Sequence, residues 1–428
     1  MRPTLKHSEA QSTNPTILVL AGLLAFILTL VIVLIYQPFG LFQENTTDAQ
    51  ESTQNSQTSL TAEPTTVPPT TPPATPETIS IVAAGDVLPH LNVLDSARSS
   101  GGYNFNSLWR ALNPWVSQAD LAICHLEVPL SVPPKKPSGY PMFGTVKEIL
   151  QDLKAQGWDG CSTASNHSLD QGFSGLEYTL NSMDEIGLKH AGTNRSEGES
   201  QSITYYNLVK GQTKIKIAHI SYNYGTNGIP IPADAPWSVN IVDVAKIEQQ
   251  AREARAQDAQ LVLLSLHAGT EYVLTPNEQQ KEVTSQLAAS GTIDLVIGHH
   301  AHVPQPIEKL AGGPSNGGMW VAYGLGNMIS NQGPDCCHTM SNTGLLLLAD
   351  AVADPQTHTA SIESISWAGF VVNEKAGHTI DMLTLNNLST TKRGLATNTE
   401  KLANLSEIVG PQAPQATTLP KSSGFTIE

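Results

Sequence analysis

A series of short hydrophobic runs, each stopping on a residue able to ligate a metal or move a proton, constrains this chain most. Ile79 to Ala84 ends in Gly85-Asp86, and Asp120 to Cys124 ends in His125-Leu126-Glu127. Trp158 to Thr163 leads into Ser165-Asn166-His167, and Leu261 to Leu266 ends at His267. Asp294 to Ile297 ends at Gly298-His299-His300, and Met319 to Tyr323 runs into Gly324-Leu325-Gly326-Asn327. Short apolar runs bounded by glycine read as buried strands. Val146 to Gln156 and Glu278 to Ala289 have helical spacing, and Ile203 to Ile220 alternates like a hairpin turning at Gly211. Strands alternating with helices predict an α/β fold. In such sheets functional groups gather at the carboxyl ends of strands, so residues far apart in sequence converge.

The candidates are Asp86, Glu127, Asn166, His167, His267, His299, His300 and His302. They offer oxygen and imidazole donors without thiolate, a set that suits Mn, Fe or Zn. Two such ions bridged by a carboxylate would activate a water between them, and a nearby free His would protonate a leaving oxygen. Each residue also has a plain structural reading. Asp86 could end a strand in a turn, Glu127 could be a surface charge, and His267 could be a hydrogen-bonded core histidine. Asn166-His167-Ser168 could be a turn with a helix cap, and it is also a formal glycosylation triplet. Three His within His299-His300-Ala301-His302 rarely arise for packing.

The regions outside this core divide by composition. Ile17 to Tyr36 (ILVLAGLLAFILTLVIVLIY) carries no charge. As a helix rising about 1.5 Å per residue it crosses a hydrocarbon core of roughly 30 Å. No small-x-small cleavage site follows, so an uncleaved signal anchor is expected over 17–36. Arg2 and Lys6 precede it, which places 1–16 in the cytoplasm and the rest of the chain outside, on a single-pass cell-membrane protein. Residues 37–78, rich in Thr, Ser, Gln and Pro, read as a disordered tether. The main domain is expected over 79–372, and 373–428, without periodicity, as a peripheral or disordered tail. A net charge of -15 and the lack of a Lys/Arg cluster argue against nucleic acid as a partner. The four cysteines are too few for a disulfide scaffold. Cys124 and Cys161 read either as a bridge or as two small buried hydrophobes; the adjacent Cys336 and Cys337 rarely suit disulfide geometry.

In order, Ala84-Gly85-Asp86, Leu126-Glu127, Ser165-Asn166-His167-Ser168-Leu169-Asp170, His267-Ala268-Gly269-Thr270-Glu271-Tyr272, Gly298-His299-His300-Ala301-His302-Val303-Pro304-Gln305 and Tyr323-Gly324-Leu325-Gly326-Asn327 resemble the bacterial capsule-synthesis CapA family of poly-γ-glutamate synthesis. The resemblance runs from about Ile79 to Asn331 and implies a calcineurin-like metallophosphoesterase: a β-sandwich flanked by helices, here preceded by one transmembrane helix. It implies two divalent ions held by Asp86, Glu127, Asn166, His267, His300 and His302, with His167 as general acid or transition-state stabiliser and His299 beside it. His90, His125 and Asn327 are accessory candidates. The metallophosphoesterases usually carry Asp-x-His at the first motif; here His90 lies two residues further on. His125 stands where relatives usually have Asn. Membrane synthase subunits for capsule or poly-γ-glutamate are the implied partners. A non-enzymatic scaffold of a polymer-export complex and a secreted nucleotidase-type phosphatase are the alternative functions.

Overall fold

The computed structural model describes residues 75–384 and 395–428. The expected anchor, 17–36, and most of the expected tether, 37–78, lie outside the described residues. Among the described residues no helix is long and apolar enough to cross a membrane.

Along the chain the strands are β1 (Glu77–Val87), a small ribbon of β2 (Arg98–Ser99) and β3 (Gly102–Tyr103), β4 (Leu121–Leu126), β5 (Gly160–Ser162), β6 (Lys189–Ala191), β7 (Thr204–Lys210), β8 (Thr213–Asn223), β9 (Leu261–His267), β10 (Leu295–His299), β11 (Ile307–Leu310), β12 (Met319–Ala322), β13 (Asn327–Ile329), β14 (Thr343–Asp354), β15 (Thr359–Asn373), β16 (Thr379–Met382) and β17 (Thr426–Ile427). One sheet has the order β16-β15-β14-β1-β4-β5-β6, with β13 also paired to β1; the other has the order β11-β12-β10-β9-β8-β7-β17. In the first, β1, β4, β5 and β6 run parallel. In the second, β8, β9, β10 and β12 do.

Alternation along the strands makes three layers of apolar packing. Ile79, Ile81 and Ala83 of β1 meet Ile215 and Ile217 of β8 and Leu261 and Leu263 of β9 between the sheets. The opposite face of the first sheet, Val82 and Ala84 among others, packs on helices Glu148–Gln156 and Gly172–Glu185. The outer face of the second sheet packs on helices Val244–Ala256 and Glu278–Ser290. Strands buried on both faces read as continuous hydrophobic runs, which is why they were legible. The helices begin where polar caps allow: Asp243 accepts from Ala245 and Lys246 N–H, and Asn277 with Gln280 forms a capping box.

The C-terminal segment corrects the expectation of a peripheral or disordered tail. Helix Leu395–Val409 places Leu402, Leu405 and Val409 in the layer between the sheets, and Phe425 joins them. Strand β17 pairs with β7 through Thr426↔Val209 and Ile427↔Leu208, closing that sheet's edge. Its apolar positions are few and widely spaced, so the segment has meaning only against a core built by earlier residues. The cysteines are all paired. Cys124 and Cys161 are register partners on β4 and β5, with Cα atoms 4.3 Å apart, and form a disulfide. Cys336 and Cys337 pair with each other, against expectation. A turn in which both their N–H groups donate to Gly333 O brings the two sulfurs together.

Candidate metal centre

The two sheets present the carboxyl ends of their parallel strands at the same edge of the sandwich. Asp86 on β1 is the register partner of His125 on β4, and His267 on β9 is that of His299 on β10. Between Ala83↔Ile123 and Asp86↔His125, β1 advances one residue more than β4. This bulge turns Asp86 to the face between the sheets; simple alternation would put it with Val82 and Ala84 on the helix side. Gly85 permits the bulge, because a Cβ there would lie 1.9 Å from Gly326 O. Beyond β10 the chain turns sharply. His300 (φ 85°) and His302 (φ 56°) both occupy the left-handed region, a strain that persists where surrounding structure holds it.

Four overlapping groups of donors result, each with its ligand atoms within 4.8 Å of one another: Asp86, His125 and His267; Glu127, His267 and His300; Asp86, Glu127 and His302; and Glu271, His300 and His302. All but Glu271 are buried. His302 Nδ1 lies 3.2 Å from Asp86 Oδ2, and its Nε2 lies 3.6 Å from Glu127 Oε1. His267 Nε2 meets Asn166 Oδ1 at 2.8 Å, and its Nδ1 meets His125 Nε2 at 2.9 Å. Of the residues expected as ligands, Asp86, Glu127, Asn166, His267, His300 and His302 therefore come together. His125 joins them as a donor, its Nδ1 turned to Ser162 Oγ at 2.8 Å.

The other candidates stand around this cluster. His167 Nδ1 is 2.7 Å from Asp170 Oδ2, and its ring meets Phe143 edge to face at 4.8 Å. His299 stacks on His125 at 4.1 Å with Nδ1 3.3 Å from Asp86 Oδ1, but belongs to none of the donor groups. Asn327 accepts at Oδ1 from His302 Nδ1 at 3.0 Å, and its amide donates to His302 O, Gln332 Oε1 and Ser341 O. It orients a ligand without being one. His90 is outside the cluster: its Nδ1 lies against Leu88 O and Asn331 N, and its ring against Phe143.

The electrostatics favour cation binding. Burial pushes the Glu127 carboxyl up to about 8. Burial likewise opposes ionisation of Asp86, yet His299 and His302 hold it well below the usual carboxylate range. Burial also disfavours charge on His302, but Glu127 and Asp86 outweigh it and push the imidazole up to about 9. Burial thus keeps a proton on Glu127 although His302 opposes it, while the two carboxyls keep one on His302 although burial opposes it. Burial, with neighbouring histidines, lowers His125 and His267, and takes His300 to about 3. These three are neutral imidazoles, the form that ligates metal. Meanwhile Asp86 Oδ1, both Glu127 oxygens and His300 Nδ1 are buried without a hydrogen-bond partner. Unsatisfied buried carboxylate oxygens facing neutral imidazoles fit divalent ions.

Four contributors are not among the candidates the sequence offers. Glu271 completes a donor group from an exposed loop position, with no strand end to mark it. Asp170, three residues past His167, clamps that imidazole and also accepts from Phe143 N at 2.7 Å. Tyr224 lies against His300 at 4.5 Å, and Asn227 accepts from the Asn166 amide at 3.2 Å. The i, i+3 spacing of His167 and Asp170 was the one visible signal among these.

Several known proteins are similar to this chain. Residues 80–332 match the family described as bacterial capsule synthesis protein PGA_cap. The PGA biosynthesis protein CapA of Bacillus subtilis is 27% identical over 196 residues, which are 44% of this chain and 47% of that protein. The capsule biosynthesis protein CapA of Bacillus anthracis is 23% identical over 266 residues, 60% of this chain and 61% of that protein. The chain thus spans about half to three fifths of these relatives. The calcineurin-like phosphoesterase YfkN from Bacillus subtilis overlays at a TM-score of 0.40, with 15% identity, over 77% of this chain and 97% of that one.

Proposed function

Because the chain belongs to the bacterial capsule synthesis family matched over residues 80–332, we propose that it is a metal-dependent hydrolase of metallophosphoesterase type that serves the making of a surface polymer outside the cell membrane. The observation that carries this reading is the pair of buried carboxylates, Asp86 and Glu127, with unpartnered oxygens among neutral imidazoles from both sheets. Asp86, Glu127, Asn166, His267, His300 and His302 would hold two divalent ions, Mn, Fe or Zn, with His125 as a further donor. When bound, such ions polarise a phosphoryl oxygen and make water nucleophilic near neutral pH.

The remaining work falls to the chain's own groups. His167 carries a proton toward the leaving oxygen. Burial disfavours its charged form, but the Asp170 carboxylate overcomes this and raises the imidazole above its usual value. Asp170 also fixes the tautomer, because it engages Nδ1 and leaves Nε2 for the substrate. Asn327 fixes the ring of His302, as outer partners of ligating histidines do. The apolar segment 17–36 would anchor the domain and 37–78 would tether it beside membrane synthase subunits, which fits the family's place in capsule production.

A scaffold without catalysis is the second reading, and the contact of His125 Nε2 with His267 Nδ1 favours it, since two donors turned on each other fill space that an ion would need. Elemental analysis of the full-length protein in detergent, after growth with Mn, Fe and Zn, decides between them. About two ions per chain, depleted in Asp86→Ala, are expected for the hydrolase. A metal-free wild-type chain would end that reading and leave the scaffold.

A further inference from the structure

Among the described residues five large apolar side chains are exposed: Leu91, Tyr140, Met142, Val273 and Leu419. Single exposed apolar residues are ordinary, but clustering around a polar site is not. The first four flank the metal centre. Leu91 follows His90, whose ring packs on Phe143, and its side chain lies against Gly139. Tyr140, 81% exposed, is 6.4 Å from Phe143 between ring centroids, and Phe143 in turn touches His167. Met142 precedes Phe143 directly. On a second loop at the centre, Val273 follows Tyr272, whose ring lies 5.9 Å from that of His302 and within electrostatic reach of Tyr140.

Two segments therefore bring exposed apolar side chains to the centre: the 139–143 loop beside the proton donor, and the 272–273 turn beside a ligand. The charges of this rim are few. Glu271 is exposed just before the second element, and Lys135 and Lys136 are exposed a few residues before the first. A polyanionic chain leaving the centre would meet Glu271 and uncharged rings, with one lysine pair to answer it. A hydrocarbon chain would cover Leu91, Tyr140, Met142 and Val273, whose exposure is otherwise unfavourable. We propose that this rim is a subsite for the apolar chain of an amphiphilic phosphoester, whose phosphate group lies at the His and carboxylate cluster. The assignment rests on the hydrolase reading for the phosphate and on the four exposed side chains for the chain.

Non-hydrolysable alkylphosphonates test it. Full-length, metal-replete protein in a nonionic detergent is titrated with methyl-, butyl- and octylphosphonate, and with Tyr140→Ser/Met142→Ser alongside. The wild type should bind roughly threefold to fourfold more tightly for each added carbon that the rim covers. The double variant should keep its methylphosphonate affinity and lose most of that gain. Partition into detergent is common to both proteins and cancels. Equal affinity for all three ligands in the wild type would overturn the subsite while leaving the phosphoester reading standing. The same gain in both proteins would also overturn it, because the chain would then bind elsewhere. If no phosphonate binds at all, the subsite and the phosphoester reading fall together.

Discussion

The layer between the two sheets is hydrocarbon at one end and a field of carboxylates and imidazoles at the other, and the same strand faces supply both. On β4, Leu121 and Ile123 are followed on that face by His125; on β9, Leu261 and Leu263 by Ser265 and His267; on β10, Leu295 and Ile297 by His299. Alternation decides which way a side chain points, and only residue identity decides what the layer can do. The apolar half stabilises the fold by removing surface from water, at roughly 25 cal/mol per Å². The polar half works against it, since Asp86 Oδ1 and both Glu127 oxygens are buried without hydrogen-bond partners. One end holds the molecule together, and the other stores the unsatisfied chemistry that a cation would answer.

Carrying a charge into the wrong half should have the largest effect. Leu263→Asp puts an unpaired carboxylate into a fully buried apolar position. A loss of about 4 kcal/mol or more is expected, read as collapse of the urea midpoint or failure to fold. An intact midpoint would show that the two halves are less distinct than their residues imply. A smaller change is expected in the polar half from Asn327→Ala. The fold should survive with a loss of about 1–3 kcal/mol for the acceptors left behind, while metal affinity drops about 10–100-fold in competition with a chelator. Unchanged affinity would remove Asn327 from the support of His302.

The subtlest test concerns Asp170→Asn. Asp170 raises the His167 imidazole, so the protonated form persists to higher pH in the wild type than it would without that carboxylate. Removing the charge lowers the imidazole, and the acid is lost sooner as pH rises. The alkaline limb of kcat/KM for a phosphoester substrate should move to lower pH, with the acidic limb unchanged. A limb that does not move would separate His167 from proton transfer.

Much of this is legible in the sequence. The strands were legible because both their faces are buried, which leaves unbroken apolar runs. The donors were legible because each run stops on one. The packed tail is not legible, for the opposite reason. Leu402, Leu405, Val409 and Phe425 are scattered among polar residues, and their burial depends on partners tens of residues earlier for Leu405 and about two hundred earlier for Phe425. Glu271 stands in a quoted motif but has no role assigned from the sequence, because a loop carboxylate has no local mark that separates it from a solvated charge.

By itself, the sequence determined the strand ends, the order of the donors and their kind, oxygen and imidazole, because these follow from local pattern and side-chain chemistry. The tertiary structure alone decided which donors share a group, that a bulge at Gly85 turns Asp86 inward, that Asn327 holds His302 and His90 does not join the cluster, and that exposed apolar side chains lie near the centre. Those outcomes depend on register between strands and on the packing of one sheet over another. They are set by contacts between residues far apart in the chain, which no local window contains.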